Sequence, residues 1–250
     1  MTGSGTAPQQ LWSRRGLLAS AGAATIAIAT GGAAAGSTTV GAAPWHEPAL
    51  SAKPPTPDEA LRLLQEGNRR WVSGQLIHPN LTMKRRREVA AGQNPFAVVL
   101  GCIDSRVPPE FVFDRGLGDL FVVRDAAAAP DDFVEGSLEY GPAHSHTPLV
   151  VVLGHQKCGA VTAGVEALQK GETLDGHLAE VGEAIKPAWE AVKDQSDETT
   201  VVDNTTREMI RMTARHLSQN STIKPYIDKG KVAVRGAYYS LDTGEVSWEV

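Results

Sequence analysis

Cysteine is scarce in this chain: Cys102 and Cys158 are its only two, in 250 residues. One disulfide is the most they allow, and a zinc site of four cysteines is excluded. A dominant charge is lacking too. With 24 basic and 29 acidic residues the net charge is −5, which gives no electrostatic footprint for nucleic acid. The one basic cluster, Lys84-Arg85-Arg86-Arg87, reads as a solvated helix face. No internal repeat is visible. A hydrophobic content of 42% suits one soluble globular domain with a full core, or one domain plus small additions.

The N-terminus reads as lying outside that domain. Ser13-Arg14-Arg15-Gly16-Leu17-Leu18 is a twin-arginine pattern, followed by an uncharged stretch rich in Ala, Gly and Thr. Val40-Gly41-Ala42 places small residues at the offsets a signal peptidase uses. The segment resembles a bacterial twin-arginine export signal. Expected are a signal over residues 1–43 cleaved near Ala42 or Ala43, passage through the twin-arginine translocase, and an extracellular, cell-wall or periplasmic location. A transmembrane anchor is the alternative, but the stretch is poor in Leu and Phe and full of Gly. No cysteine lies near its end, which sets aside a lipoprotein. Pro44, Pro48, Pro54 and Pro55 mark residues 44–56 as an extended linker, leaving 57–250 as a single domain.

Thr56-Pro57-Asp58-Glu59 is a helix start, with Thr at the cap, Pro at the first position and Glu three residues on. Gly74 closes that helix, which is expected to pack outside the core or on a partner subunit. A second helix is expected from Thr82 to Gly92. Strands are expected over 96–101, 119–124, 149–153 and 231–239, with an edge strand within 245–250. Helices are expected at 108–113, from 133 to a stop or kink at Gly141-Pro142, and over 158–168, 178–192 and 203–220. This alternation predicts an α/β fold, a central, mainly parallel sheet flanked by helices. In such sheets, sites form beyond the carboxyl ends of strands, where Cys102, Arg124 and His155 all fall.

The informative stretches are Gly101-Cys102-Ile103-Asp104-Ser105-Arg106 and Gly154-His155-Gln156-Lys157-Cys158-Gly159, each ending a short apolar run. Two thiolates and one imidazole suit zinc, and each cysteine sits among its own polar neighbours, so metal is expected ahead of a disulfide. The spacing of His155 and Cys158 predicts that both lie on one side of a first helical turn. Cys158 at that helix N-terminus would be biased toward thiolate. The fourth zinc position has no further cysteine to fill it, and Asp104 beside Arg106 suggests catalysis there. Asp104 would accept a hydrogen bond from zinc-bound water, while a bidentate Arg106 keeps the carboxylate off the metal. A structural salt bridge is the alternative, but a buried ion pair beside an open metal position is costly without a use, so catalysis is expected ahead of it.

Cys-Ile-Asp-Ser-Arg-Val followed by Gly-His-Gln-Lys-Cys-Gly-Ala-Val resembles the β-class carbonic anhydrases. The resemblance runs from the first helix near Thr56 to the terminal strand. It includes Gly-Asp-Leu-Phe-Val-Val-Arg at 118–124 and Gly-Ser-Leu-Glu-Tyr at 136–140. It implies one zinc ion on Cys102, His155 and Cys158, and reversible hydration of carbon dioxide to bicarbonate and a proton. It also implies homodimers or higher assemblies, hydroxide on the zinc oriented by the Asp104–Arg106 dyad, and substrate positioned by the Gly159 amide. In some members the aspartate swings onto zinc as a fourth ligand in a closed state. The family usually follows its second strand with Arg-Asn-X-Gly or Arg-Asn-X-X-Asn. Here the chain reads Arg124-Asp125-Ala126-Ala127-Ala128-Ala129-Pro130, so the pocket wall departs from the pattern. That apolar run is the one hint of an alternative, hydrolysis of carbonyl sulfide or carbon disulfide; a zinc protein without turnover is another. His144-Ser145-His146 reads as a solvated loop, and His46, His78, His177 and His216, with no acidic or cysteine partners nearby in sequence, read as surface or capping residues.

Overall fold

The structure, a computed structural model, describes residues 54–249. The expected signal and all but the end of the linker lie outside them. Among the described residues no helix is long and apolar enough to cross a membrane.

Five strands form one sheet: β1 (Ala97–Cys102), β2 (Leu120–Asp125), β3 (Leu149–His155), β4 (Ala233–Tyr239) and β5 (Val246–Trp248), in the order β2-β1-β3-β4-β5. The first four are parallel, and β5 runs antiparallel along β4. Every residue of β1 and β3 is buried, which is why both read as unbroken apolar runs. Alternate side chains feed two cores: Val99, Leu149, Val151 and Leu153 on one face, Val98, Leu100, Val150 and Val152 on the other. From β1 the chain moves outward to β2, and from β3 it moves the opposite way to β4. The order therefore reverses between β1 and β3, the place where open α/β sheets leave a crevice.

The α1 helix (Pro57–Ser73) begins as expected, with a complete capping box on Thr56 and Glu59. Its placement differs from the expectation: it packs on its own chain. Ala60 and Leu64 are fully buried, and a Cβ at Gly67 would stand 1.7 Å from the Phe113 carbonyl oxygen. Asn68 donates to the carbonyls of Val112 and Gly244 and accepts from the Val246 amide. Trp71 donates to the Tyr239 hydroxyl at 3.0 Å. The apolar residues of α1, Ala60, Leu64 and Trp71 among them, serve the home core.

Helix α2 (Met83–Val89) is shorter than expected, and α3 (Pro109–Val112) is a single turn. Of the basic cluster, Arg85 turns inward: its Nε donates to the Leu117 carbonyl at 3.0 Å. Helix α4 (Asp132–His144) continues past Gly141-Pro142, where a stop or kink was expected, so the pair does not end it. Proline forfeits one backbone hydrogen bond, but Leu138, Gly141 and Pro142 are buried and hold the last turn in place. Helices α5 (Gly159–Lys170), α6 (Leu178–Val192), α7 (Val201–Gln219) and α8 (Lys224–Ile227) complete the layers. His78 and His216 have acidic partners that sequence separation concealed: Asp114 at 3.8 Å and Glu135 at 2.8 Å.

Candidate metal centre

Cys102 is the last residue of β1 and His155 the last of β3, so the sheet itself sets them side by side at the switch point. Gln156 and Lys157 then turn the chain, Lys157 in the left-handed region at φ 54°. Cys158 becomes the residue capping α5. His155 and Cys158 thus do not share a helical turn as their spacing suggested. A strand end and a helix cap, joined by a tight turn, bring them to the same place.

Among the described residues, the His, Cys, Asp and Glu side chains placed to hold an ion in threes are Cys102, His155 and Cys158. Their ligand atoms all lie within 4.8 Å of one another, and all three residues are buried. The two sulfurs are 3.8 Å apart and both cysteines are free. Two sulfurs ~2.3 Å from a tetrahedral zinc would lie about 3.8 Å from each other. His155 Nδ1 is 2.9 Å from the Gln156 carbonyl oxygen. A carbonyl only accepts, so Nδ1 carries the proton and Nε2 presents its lone pair. That Nε2 is buried without a hydrogen-bond partner, a costly arrangement unless it serves as a ligand. The donor set, the sulfur spacing and the orphaned nitrogen all fit zinc.

Cys102 is pulled toward thiolate. The Cys158 thiol lowers its pKa most, burial opposes, and the nearby backbone amides of Asp104 and Ala127 add to the lowering. The neighbouring thiolate and burial push Cys158 the other way, opposed by the amides of Val161 and Ala160 in the first turn of α5.

Asp104 faces the same point, its Oδ2 4.0 Å from His155 Nε2. Arg106 grips it through Nε–Oδ1 at 2.9 Å and a terminal nitrogen to Oδ2 at 2.6 Å, and the Arg106 amide adds a third bond to Oδ1 at 2.9 Å. The guanidinium holds the carboxyl down at about 2, with burial opposing. The pair is not the buried one expected: the Arg106 side chain is 52% exposed and that of Asp104 15%. Arg106 also reaches the Lys157 carbonyl at 3.3 Å, tying the two ligand loops together.

Sequence reading left three supports unassigned. Arg124 donates to the carbonyls of Cys102 and Asp104 at 2.8 and 2.5 Å, a role its place at a strand end could have suggested. Asp242 binds Gln156 Nε2 at 2.8 Å and Lys157 Nζ at 2.7 Å, clamping the turn between two ligands from far along the chain. At the end of β2, Asp125 accepts the Ala129 amide on Oδ1 at 2.7 Å, while its buried Oδ2 has no partner. Burial pushes this carboxyl up to about 6. Ala127 and Ala128 both adopt positive φ, 67° and 54°, at about 1–2 kcal/mol each. The pair His144 and His146 forms no such cluster; His144 ends α4 and stacks on Tyr140.

A mainly parallel α/β sheet with a Cys-His-Cys cluster at its switch point has the donor set of a zinc-binding protein. The family model described as carbonic anhydrase matches residues 97–246, and the chain belongs to the β-class carbonic anhydrases. It is 40% identical to carbonic anhydrase 2 of Mycobacterium tuberculosis over 189 residues, 75% of this chain and 90% of that protein. It is 39% identical to a carbonic anhydrase of Mycolicibacterium smegmatis over 191 residues, 76% and 92% of the two chains. Among solved structures it resembles a tetrameric β-carbonic anhydrase from Sordaria macrospora, with a TM-score of 0.61, 22% identity, and coverage of 76% of this chain and 96% of that one. The Coccomyxa β-carbonic anhydrase in complex with acetazolamide gives a TM-score of 0.59 and 23% identity, covering 75% and 85%.

Proposed function

We propose that the protein catalyses the reversible hydration of carbon dioxide to bicarbonate and a proton, with one zinc ion held by Cys102, His155 and Cys158. The observation that carries this reading is the convergence of those three ligand atoms within 4.8 Å, beside a carboxylate fixed by an arginine. Zinc supplies a Lewis acid that makes water ionise near neutral pH.

The chain's own residues then orient the reactants. Asp104, held ionised, can only accept hydrogen bonds, and Arg106 occupies both of its oxygens from the outer side. The carboxylate is left one role toward the site, to receive an O–H from the attacking oxygen and aim its lone pair at carbon. The triple grip on Asp104 supports a held acceptor rather than a fourth ligand that swings inward. Gly159, exposed at the start of α5, offers its amide to a substrate oxygen; a Cβ there would meet nothing within 4 Å.

We further propose export by the twin-arginine route, supported by Arg14-Arg15 and the small residues at 40–42, and assembly into homodimers or larger. Supporting assembly, β2 is a sheet edge of only partly buried residues, and beside it Phe133 is 86% exposed.

Stopped-flow carbon dioxide hydration tests the activity. The zinc-loaded protein is expected to turn over, with Asp104→Ala losing about 100-fold or more at unchanged zinc content. Equal rates with and without zinc would overturn the reading.

A further inference from the structure

The geometry points to Asp242 as a positioning residue for the metal centre: through Gln156 and Lys157 it fixes the two-residue turn that sets His155 and Cys158 at their ligand positions. The inference rests on the metal assignment above. Only Gln156 and Lys157 separate those two ligands. The Gln156 carbonyl receives the His155 Nδ1 proton at 2.9 Å. The peptide after the histidine therefore decides where its ring points and which nitrogen is left for an ion.

What holds that peptide is the loop from β4 to β5. The Gln156 amide donates to the carbonyl of Tyr239, the last residue of β4, at 2.9 Å. The Gln156 side chain is engaged at both ends. Its Nε2 donates to Asp242 Oδ2 at 2.8 Å, and its Oε1 accepts the Asp242 amide at 3.2 Å and the Ser240 hydroxyl at 3.4 Å. The other oxygen of Asp242 takes Lys157 Nζ at 2.7 Å. Lys157 stands in the left-handed region at φ 54°, which an L-residue keeps only where its surroundings impose it. The loop is a firm template. The Ser240 amide donates to the Glu245 carbonyl at 2.9 Å and the Gly244 amide to the Ser240 carbonyl at 2.8 Å. Asn68 of α1 then holds the Gly244 carbonyl at 2.9 Å. The Lys157–Asp242 ion pair is more than half exposed on both sides, and such a pair contributes little alone. The Gln156 amide, matched at both ends, carries the positioning.

The test uses the full-length protein and zinc alone, with affinity read by competition against a chromophoric chelator. Asp242→Ala is expected to bind zinc about tenfold more weakly. In the zinc-loaded variant the His155 Nδ1 proton, followed by proton NMR, should exchange with water faster than in wild type. Either quantity unchanged in Asp242→Ala overturns the inference. Gln156→Glu sets two carboxylates against each other and should weaken zinc binding at least as much. Adding Asp242→Asn to it exchanges amide and carboxylate between the two positions and should recover most of the wild-type affinity. A double variant as weak as Gln156→Glu overturns the inference, and this pair decides should Asp242→Ala not fold. A wild type that takes up no zinc overturns the metal assignment and the inference with it. Full wild-type uptake with unmoved variants overturns the inference alone.

Discussion

Ala127 takes a conformation suited to glycine and bears the strain of a Cβ. Ala127→Gly keeps the amide and removes that strain. It should stabilise the protein by about 1 kcal/mol, raising the melting temperature by about 2–4 °C in a calorimetric scan. Gly159→Ala should fold normally, because its new methyl group meets open space. The amide is retained, so the methyl reports on crowding: if substrate lies against the start of α5, KM rises several-fold while kcat changes little, and unchanged steady-state constants would show that no substrate atom approaches the Gly159 Cα. At this scale the sequence was most legible. Cysteine was so rare that each one marked a place, and the residues next to Cys102 named their own chemistry. Less legible was how His155 meets Cys158. A three-residue separation suggests one helical turn, and nothing local reveals that the first residue ends a strand. The contribution of Asp242 was hidden altogether, since an exposed aspartate far along the chain carries no mark of the lysine it will hold.

Asp114 shows how elements are held together. It follows α3 with a fully buried side chain, and it binds Arg70 of α1 at 2.6 Å and the amides of Ile77 and His78 at 3.2 and 3.0 Å. Burial alone would raise its carboxyl, but the Arg70 bond and the two amides more than offset this and hold it below the ordinary value of 3.8. A folded-state value below the unfolded one adds stability above the unfolded value, and that stability is lost as pH falls through the folded one. Chemical denaturation should therefore show wild type losing stability below about pH 4. Asp114→Asn should be less stable by about 3 kcal/mol at neutral pH and less sensitive to acid in that window. Element boundaries were legible where caps were strong, as at Thr56 and Gly74. They were misread at Pro142, because the burial that carries α4 past a proline comes from β1, far off in sequence. Likewise the inward face of α1 fits its own chain, a fact the helical period alone could not assign.

For the molecule as a whole, the sheet order was not readable from the alternation of strands and helices, though its parallel character was. The order leaves β2 at one edge, with Phe121, Val123, Phe133 and Tyr140 beside one another there. If that edge joins two copies, Phe133→Glu should shift light-scattering mass toward the monomer at a given concentration with the melting profile of the fold retained. An unchanged mass would place the interface elsewhere.

The placement of the ligands on β1 and β3 has a consequence in time. Those strands are neighbours in space, yet β2 and α4 lie between them in the chain. Pairing β1 with β2 completes no binding site, and a folding chain cannot grip an ion tightly until the more distant partner docks. Such non-local pairing is the slow part of building a sheet. Metal uptake during refolding should then act as a clock for that docking, lagging behind helix formation and keeping pace with closure of the central strands.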